Sequence, residues 1–182
     1  MIQRTGSMIV SSKSVLEHGL FLFNENPQYH HEDADLILTT TPYRILTEGG
    51  GWKAVTNRMK ESDRDLIAGV ETSGYKFDYG YDGTGVFAKS ATEGGGFYID
   101  VGCAQLLAQK DVGIRFANVE RLESDAVVIF NKDSGKEERL PADALVYATG
   151  FDTMESYVEE ICGQDVVDRV GVVGGKRLMV ST

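Results

Sequence analysis

The sequence predicts an α/β fold with a helical, loop-rich part and a β-meander. Residues 113–140 alternate short apolar runs with turn residues, as consecutive antiparallel strands do. Residues 144–148 form a continuous apolar run, which is typical of a strand buried on both faces. Residues 62–70 place an apolar face at helical spacing behind residues that favour a helix start. Strands of both kinds, together with helices, indicate a mixed architecture.

The first third of the chain is predicted to hold two short strands and two helices. The strands are the apolar segments on either side of a polar turn, residues 1–4 and 8–10. Acidic residues at 32–35 favour the start of the first helix, and Pro42 limits its length. The second helix follows residues 62–65, whose sequence resembles a capping box.

The rest of the chain is predicted to be less regular on either side of the meander. Residues 75–102 mix aromatic side chains with glycine, which indicates irregular structure with one short strand at 97–101. A helix is expected at 104–109 and another at 154–161, with a further turn near 166–167. The tail beyond has no clear period and is expected to fray.

The composition excludes several classes of function. The chain has 182 residues, with 18 Lys and Arg against 28 Asp and Glu, a formal net charge of −10. No dense basic run could neutralise a row of phosphates, so nucleic acid is not an expected partner. No apolar run approaches the roughly 18 residues that span a bilayer, so we expect no membrane-spanning segment and a cytoplasmic protein.

Cysteine and histidine do not indicate a metal or redox site. Cys103 and Cys162 lie outside any paired-cysteine or metal-ligand spacing and are expected to be small buried residues in a reducing compartment. His30 and His31 are adjacent, so their side chains point apart, and a solvated turn is favoured. The sequence also lacks the usual nucleophile elbow, phosphate-binding loop and zinc-protease motif, which leaves hydrolase and kinase functions without support.

Residues 83–88 match the glycine fingerprint of dinucleotide-binding proteins in form only. That fingerprint works when a strand delivers its glycines to the N-terminus of a helix, whose free N–H groups hold a pyrophosphate. Here an aromatic and glycine-rich stretch precedes the match, and a glycine turn at 94–96 soon follows. We therefore do not predict a dinucleotide site at these residues.

Two short segments are candidates for cofactor binding. The first, Gln3, Arg4 and Thr5, follows a short strand, where the second strand of a nucleotide-binding βαβ unit would end. An acidic residue there would favour NAD, whereas arginine accommodates the 2′-phosphate of NADP. A plain surface arginine fits the residues of this segment equally well.

The second segment ends the apolar run, and its residues are Ala148, Thr149 and Gly150. Small side chains and a glycine allow the backbone to approach a ligand closely. A core strand that ends in a turn fits the same residues equally well.

Taken together, these segments resemble the flavin-containing monooxygenase family, which is related to the plant indole-pyruvate monooxygenases. The resemblance is carried by residues 3–4 with 10–12, the helix around 63–66, and residues 74–85, 94–102 and 147–151. It implies a partial two-dinucleotide-binding-domain flavoprotein, Rossmann-like, with FAD and NADPH as cofactors. Residues 1–112 would be the remainder of the NADPH-binding domain with a helical insert. Residues 113–182 would hold the meander, the linking Ala-Thr-Gly strand and part of the FAD-binding domain.

The same resemblance implies the chemistry. The family reduces FAD with NADPH and transfers one oxygen atom from O2 to a small organic substrate, and the flavin performs this reaction. No side chain of this chain is therefore expected to be catalytic, while Gln3, Arg4, Thr5, Ala148, Thr149 and Gly150 are the expected cofactor contacts. The family's two glycine motifs, for FAD and for NADPH, are missing from this sequence. We therefore expect a fragment that is inactive alone.

Two other functions remain open. A non-catalytic interaction module that has lost its cofactor sites would be favoured by exposed aromatic residues between Tyr75 and Phe97. A disulfide reductase with two dinucleotide-binding domains shares the Ala-Thr-Gly strand, but the paired cysteines that it needs are absent.

Overall fold

The computed structural model describes residues 1–23, 30–150 and 155–171, and its architecture is mixed α/β, as predicted. Within these ranges the strands are β1 (Ile2–Gln3), β2 (Met8–Ser11), β3 (Phe97–Asp100), β4 (Arg115–Leu122), β5 (Ala126–Asn131) and β6 (Lys136–Pro141). The helices are α1 (Ser12–Ser14), α2 (His31–Thr40), α3 (Tyr43–Thr47), α4 (Gly51–Ser62), α5 (Arg64–Glu71), α6 (Gly85–Glu93), α7 (Cys103–Ala108), α8 (Glu155–Cys162) and α9 (Gln164–Val170). A π-helical turn (Val15–Gly19) and two 3-10 turns (Phe21–Phe23 and Tyr81–Gly83) complete the helical segments of the described part.

The β-meander is confirmed as part of a four-stranded mixed sheet in the order β1-β4-β5-β6. β1 runs parallel to β4, whereas β4, β5 and β6 are antiparallel neighbours. The predicted runs at 113–116 and 119–122 join in one strand, β4, whose pairing with β5 shifts register between Val119 and Arg121. Apolar side chains of β4, β5 and β1 form the core beneath it: Ala117, Val127, Ile129 and Ile2.

β2 and β3 form a second sheet of two parallel strands, and β2 is its most buried element. Because side chains alternate along a strand, Ile9 packs on one face and Met8 and Val10 pack on the other. All three are at most 1% exposed, and helices cover both faces of this sheet. The predicted strand pair at 1–4 and 8–10 is therefore correct, but its two members belong to different sheets.

The helices expected around α2, α5 and α7 are confirmed, whereas α4 and α6 were not predicted. α4 follows three consecutive glycines, yet Val55, Thr56 and Met59 share one face, and Thr56 and Met59 are fully buried. α6 lies inside the stretch 75–102, so the prediction of irregular structure with a single strand is wrong there. The residues before α4 and α6 do not favour a helix start, so packing between the two helices stabilises them instead.

The predicted buried strand at 144–148 is wrong. Residues 144–150 form neither helix nor strand, and Val146 and Tyr147 are 87% and 68% exposed. A strand buried on both faces needs neighbours at both edges and a layer on each face. The described residues supply neither, because the sheet ends at β6.

The positions of the two C-terminal helices agree with the prediction. α8 covers most of the segment predicted at 154–161, and the turn expected near 166–167 is part of α9.

Cys103 is half-buried, but Cys162 is exposed, so the expectation of two buried cysteines is wrong for Cys162. The tail from 172 onwards lies outside the described residues. No helix in the described ranges is long and apolar enough to cross a membrane.

Candidate functional site

Gln3, Arg4 and Thr5 lie at the carboxyl end of β1. Gln3 is only 7% exposed, and its amide exchanges two hydrogen bonds with the backbone of Lys76. Its Nε2 donates to the Lys76 carbonyl at 2.8 Å, and its Oε1 accepts from the Lys76 N–H at 3.0 Å. Gln3 therefore holds the strand end in place. Arg4 and Thr5 are exposed, and their side chains make no hydrogen bond or ion pair with other described residues.

Two lysines lie beside Phe116, and one of them binds the backbone of Arg4. We call these three residues the basic cluster: Arg4, Lys76 and Lys132. Lys132 Nζ donates to the Arg4 carbonyl oxygen at 2.6 Å and lies 4.8 Å from the centre of the Phe116 ring. Lys76 Nζ lies 5.7 Å from the same ring and 3.0 Å from a carboxylate oxygen of Asp133. Lys76 and Lys132 outweigh this one carboxylate, and Arg4 adds an exposed guanidinium, so the carboxyl end of β1 carries an excess of positive charge on a protein whose net charge is −10. Such a surface attracts phosphate.

An open pocket of about 330 Å³ is lined by Phe116 and Asp133, which both contact Lys76 of the basic cluster. Its other charged lining groups, Arg115 and Glu138, form an ion pair at 3.1 Å. Glu138 also accepts a hydrogen bond from the side chain of Asn131 at 2.5 Å. Each carboxylate that lines the pocket is therefore paired with a cation, Asp133 with Lys76 and Glu138 with Arg115.

Ala148, Thr149 and Gly150 do not join this site in the structure. All three are exposed, and no hydrogen bond links them to any other described residue. Gly150 has φ of 92°, a conformation that glycine adopts without strain. Phe151, the last residue of the segment that carries the family resemblance, lies outside the described residues.

The carboxyl edge of the parallel β2–β3 pair would be the usual place for a nucleotide phosphate, but carboxylates of the chain already occupy it. Asp63, 7% exposed, accepts from the Ser11 N–H at 2.8 Å, the Ser11 hydroxyl at 2.6 Å and the Ser14 hydroxyl at 2.7 Å. Asp100, at the end of β3, accepts from the Ala104 N–H at 2.8 Å. At this edge the Ser11 and Ala104 N–H groups therefore bind aspartate, whose charge would repel a phosphate.

The role of Asp63 also corrects the predicted capping box at 62–65. Asp63 precedes α5, but its side chain makes no capping hydrogen bond to that helix. It reaches 52 residues back to Ser11, which itself caps α1 through a hydrogen bond from the Ser14 N–H. The local pattern could not reveal a partner so far away in sequence.

The glycine match at 83–88 opens a helix, contrary to expectation, but it does not form a phosphate cradle. α6 begins at Gly85, whose N–H donates to the Tyr79 carbonyl at 2.7 Å. A Cβ on Gly85 would lie 2.1 Å from the hydroxyl of Thr56 on α4. The glycine therefore permits close packing of two helices, and no strand leads into it.

Lys89 is the most deeply buried charged side chain in the described part, at 1% exposure. Its Nζ lies 2.6 Å from Asp78 and 3.1 Å from Glu93. Burial alone lowers the pKa of Lys89, but the hydrogen bonds that its ammonium donates to these two carboxylates outweigh it, and the pKa is raised. Burial likewise acts to raise the pKa of Asp78, yet the bonds from Lys89 and the Gly80 N–H lower it. This group fastens α6 to the aromatic segment before it.

Two tyrosines and a cysteine lie together in the core beside β2. Burial raises the pKa of Tyr98, and the nearby Cys103 adds to the effect. The Tyr98 hydroxyl is buried without a hydrogen-bond partner among the described residues. Burial also raises the pKa of Tyr75, whose hydroxyl shares a short hydrogen bond with Ser7. Both phenols are therefore neutral at physiological pH. Cys103 and Cys162 are free thiols.

No group of three or more potential ligands for a metal ion occurs among the described residues. His30 precedes α2 and His31 begins it, and both are exposed. Sequence reasoning singled out Arg4 at the site but not Lys76 or Lys132. Neither lysine lies in a basic run, so no local signal could have identified them.

Comparison of the chain with protein-family models gives no match, and comparison with curated proteins gives none either. Inferences about its function therefore depend on the residues and geometry described above.

Proposed function

We propose that this chain is the NADPH-recognising part of a flavin-dependent monooxygenase and that it binds NADPH in the way that Rossmann-like domains do. The parent enzyme would use FAD, NADPH and O2 to oxygenate a small organic substrate, and this part would be inactive alone. The observation that carries the proposal is the basic cluster at the carboxyl end of β1, in which Lys132 binds the backbone of Arg4 and the exposed Arg4 side chain has no ion pair with other described residues.

The cluster suits the 2′-phosphate of NADPH for electrostatic reasons. The Arg4 guanidinium is planar and always charged, and it can bind two phosphate oxygens at once. Lys132 is held within 2.6 Å of the Arg4 backbone, so its charge adds to the same field. Gln3 keeps the strand end fixed through Lys76, which limits the ordering that phosphate binding would require.

The described residues fit this phosphate better than they fit the flavin. The helix N-termini at the β2–β3 edge are occupied by Asp63 and Asp100, and the space above Gly85 is filled by Thr56. Neither of these two places therefore offers a cradle for a flavin pyrophosphate. The small side chains of the segment that ends in Gly150, including Ala148 and Thr149, are our proposed second contact with the cofactors. When bound, FAD would supply the redox chemistry, and these residues would position the nicotinamide donor.

Calorimetric titration with adenosine 2′,5′-bisphosphate and with 5′-AMP tests the proposal, because the two ligands differ only in the 2′-phosphate. We expect the bisphosphate to bind more tightly and Arg4→Ala to lose about 10- to 100-fold of that preference, as expected for a charged hydrogen bond worth about 1.5–3 kcal/mol. Arg169→Ala is the matched control, since Arg169 is also exposed and forms no ion pair with other described residues. Equal affinity for the two ligands would refute the proposal.

A visible absorbance spectrum tests the flavin half separately. We expect the purified protein to be colourless, because neither the β2–β3 edge nor Gly85 offers a pyrophosphate cradle. A yellow protein that bleaches on addition of NADPH would contradict that assignment, while leaving the 2′-phosphate site to be judged by calorimetry.

A non-catalytic interaction module is the second candidate, and exposed apolar side chains favour it. Leu36, Ile37 and Leu38 of α2 are 61%, 41% and 50% exposed. Exposed aromatic residues between Tyr75 and Phe97 would also have favoured this function, but most of them are packed. Tyr75 is buried, and Tyr81 is the exception at 77% exposure. Absence of any nucleotide affinity, together with stable association with a polypeptide, would favour this function.

A further inference from the structure

Asp133 brings a carboxylate against the basic cluster. Its Oδ1 lies 3.0 Å from Lys76 Nζ, and the side chains of Asp133 and Lys76 are 55% and 41% exposed. Among the described residues, no other carboxylate forms an ion pair with Arg4, Lys76 or Lys132. Lys76 is therefore the one member of the basic cluster whose charge already has a counter-ion in the described part of the chain.

Side-chain hydrogen bonds fix the backbone on both sides of this ion pair. Asn131, only 8% exposed, accepts from the Asp133 N–H at 2.9 Å and from the Ser134 N–H at 3.1 Å. Asparagine stabilises turns in this way. On the other side, the amide of Gln3 exchanges two hydrogen bonds with the Lys76 backbone. The carboxylate and the ammonium therefore meet without further ordering of the backbone that carries them.

This ion pair is weak enough for a phosphate to displace. Both side chains are open to water, and exposed ion pairs contribute little to stability because solvent screens their charges. A carboxylate carries a single negative charge, whereas a phosphate monoester carries about 1.5–2 negative charges at neutral pH. A phosphate therefore wins the competition for the Lys76 ammonium, but its affinity is reduced by the ion pair that it breaks.

We propose that Asp133 sets the strength of the 2′-phosphate site, because its carboxylate is a counter-ion that the phosphate displaces from Lys76. This inference rests on the proposed function and adds a specificity-determining residue to it. A ligand without the 2′-phosphate has no group that displaces Asp133, so its affinity is independent of this carboxylate. Asp133 thus lowers the affinity for the phosphorylated cofactor and speeds its release.

Calorimetric titration of the full chain with adenosine 2′,5′-bisphosphate tests the inference through a gain in affinity, which a loss of folding cannot imitate. Asp133→Asn should bind the bisphosphate about 1.5- to 5-fold more tightly than the wild type, the range that exposed ion pairs reach. Its affinity for 5′-AMP should not change. Asp133→Ser, a second neutral variant, should show the same gain, whereas Asp133→Glu keeps the negative charge and should bind like the wild type.

Asp82→Asn is the matched control. Asp82 forms a similarly exposed ion pair with Lys53, whose Nζ lies 2.9 Å from its Oδ1, and the exchange changes the net charge by the same amount. This variant should bind the bisphosphate like the wild type. An equal gain in Asp82→Asn, in Asp133→Glu or for 5′-AMP would overturn the inference, since each would show that release of Lys76 is not the cause.

The two proposals fail in different ways. If the wild type prefers the bisphosphate to 5′-AMP but neither neutral variant binds it more tightly, the inference about Asp133 is overturned and the proposed function stands. A wild type that binds the two ligands equally would refute the proposed function and the inference together.

Discussion

Replacing Asp63 by alanine should destabilise the protein more than any other exchange of a single carboxylate in the described part. The Asp63 carboxylate accepts three hydrogen bonds, two from hydroxyls of Ser11 and Ser14 and one from the Ser11 N–H. Bonds to a charged group are worth about 1.5–3 kcal/mol each, and the donors left behind stay largely buried. Because the three bonds share one acceptor, they are not additive, and we expect a loss of about 3–5 kcal/mol in the free energy of unfolding.

Urea denaturation followed by far-ultraviolet circular dichroism at neutral pH measures this loss. Asp63→Asn should lose less, because its amide keeps one oxygen acceptor in nearly the same place. Asp65→Ala is the control: Asp65 is exposed in the first turn of α5, and its removal should cost no more than about 1 kcal/mol through the helix dipole. If Asp63→Ala and Asp65→Ala were equally stable, Asp63 would not fasten the end of β2 in the way described.

Two further predictions concern α6 and use the same denaturation assay. Gly85→Ala should destabilise by about 2–4 kcal/mol, because its Cβ would lie 2.1 Å from the Thr56 hydroxyl and its φ is +71°. Gly83→Ala, with a similar φ of +73° but open space around it, should lose only the cost of the backbone strain, and an equal loss for both would refute the packing argument. The lowered pKa of Asp78 stabilises the folded state at pH values above the ordinary value of 3.8, and this contribution is lost as pH falls through the lowered pKa. The stability advantage of wild type over Asp78→Asn should therefore be full at neutral pH and disappear in acid, and an advantage that does not change with pH would exclude the ion pair with Lys89 as its source.

Arg4 shows how far sequence reasoning could go at the candidate site. Its place after a short apolar strand identified it, because the end of such a strand is where a nucleotide-binding unit presents its specificity residue. Lys76 and Lys132 lie 72 and 128 positions further along and reach the same place only through the parallel pairing of β1 with β4 and the turn after β5. Their contribution was therefore invisible in the sequence.

The sequence by itself determined the elements whose stability is local. The meander, α5 and the strand at 97–101 follow from alternation, helical spacing and turn residues, which act between neighbours in the chain. Tertiary structure decided the rest. α4 and α6 exist because they pack on each other, and Asp63 serves Ser11 because folding brings β2 and α5 together.

Residues 144–148 show most clearly why the sequence alone could not decide the fold. Hydrophobicity marks residues 144–148 as fit for burial, but burial requires neighbours that the segment cannot specify. Val146 is buried only where other strands pair with it and other layers cover it, and the described part of the chain provides neither. The composition of residues 144–148 makes them suitable for a buried strand, but the arrangement of the other described elements leaves them exposed.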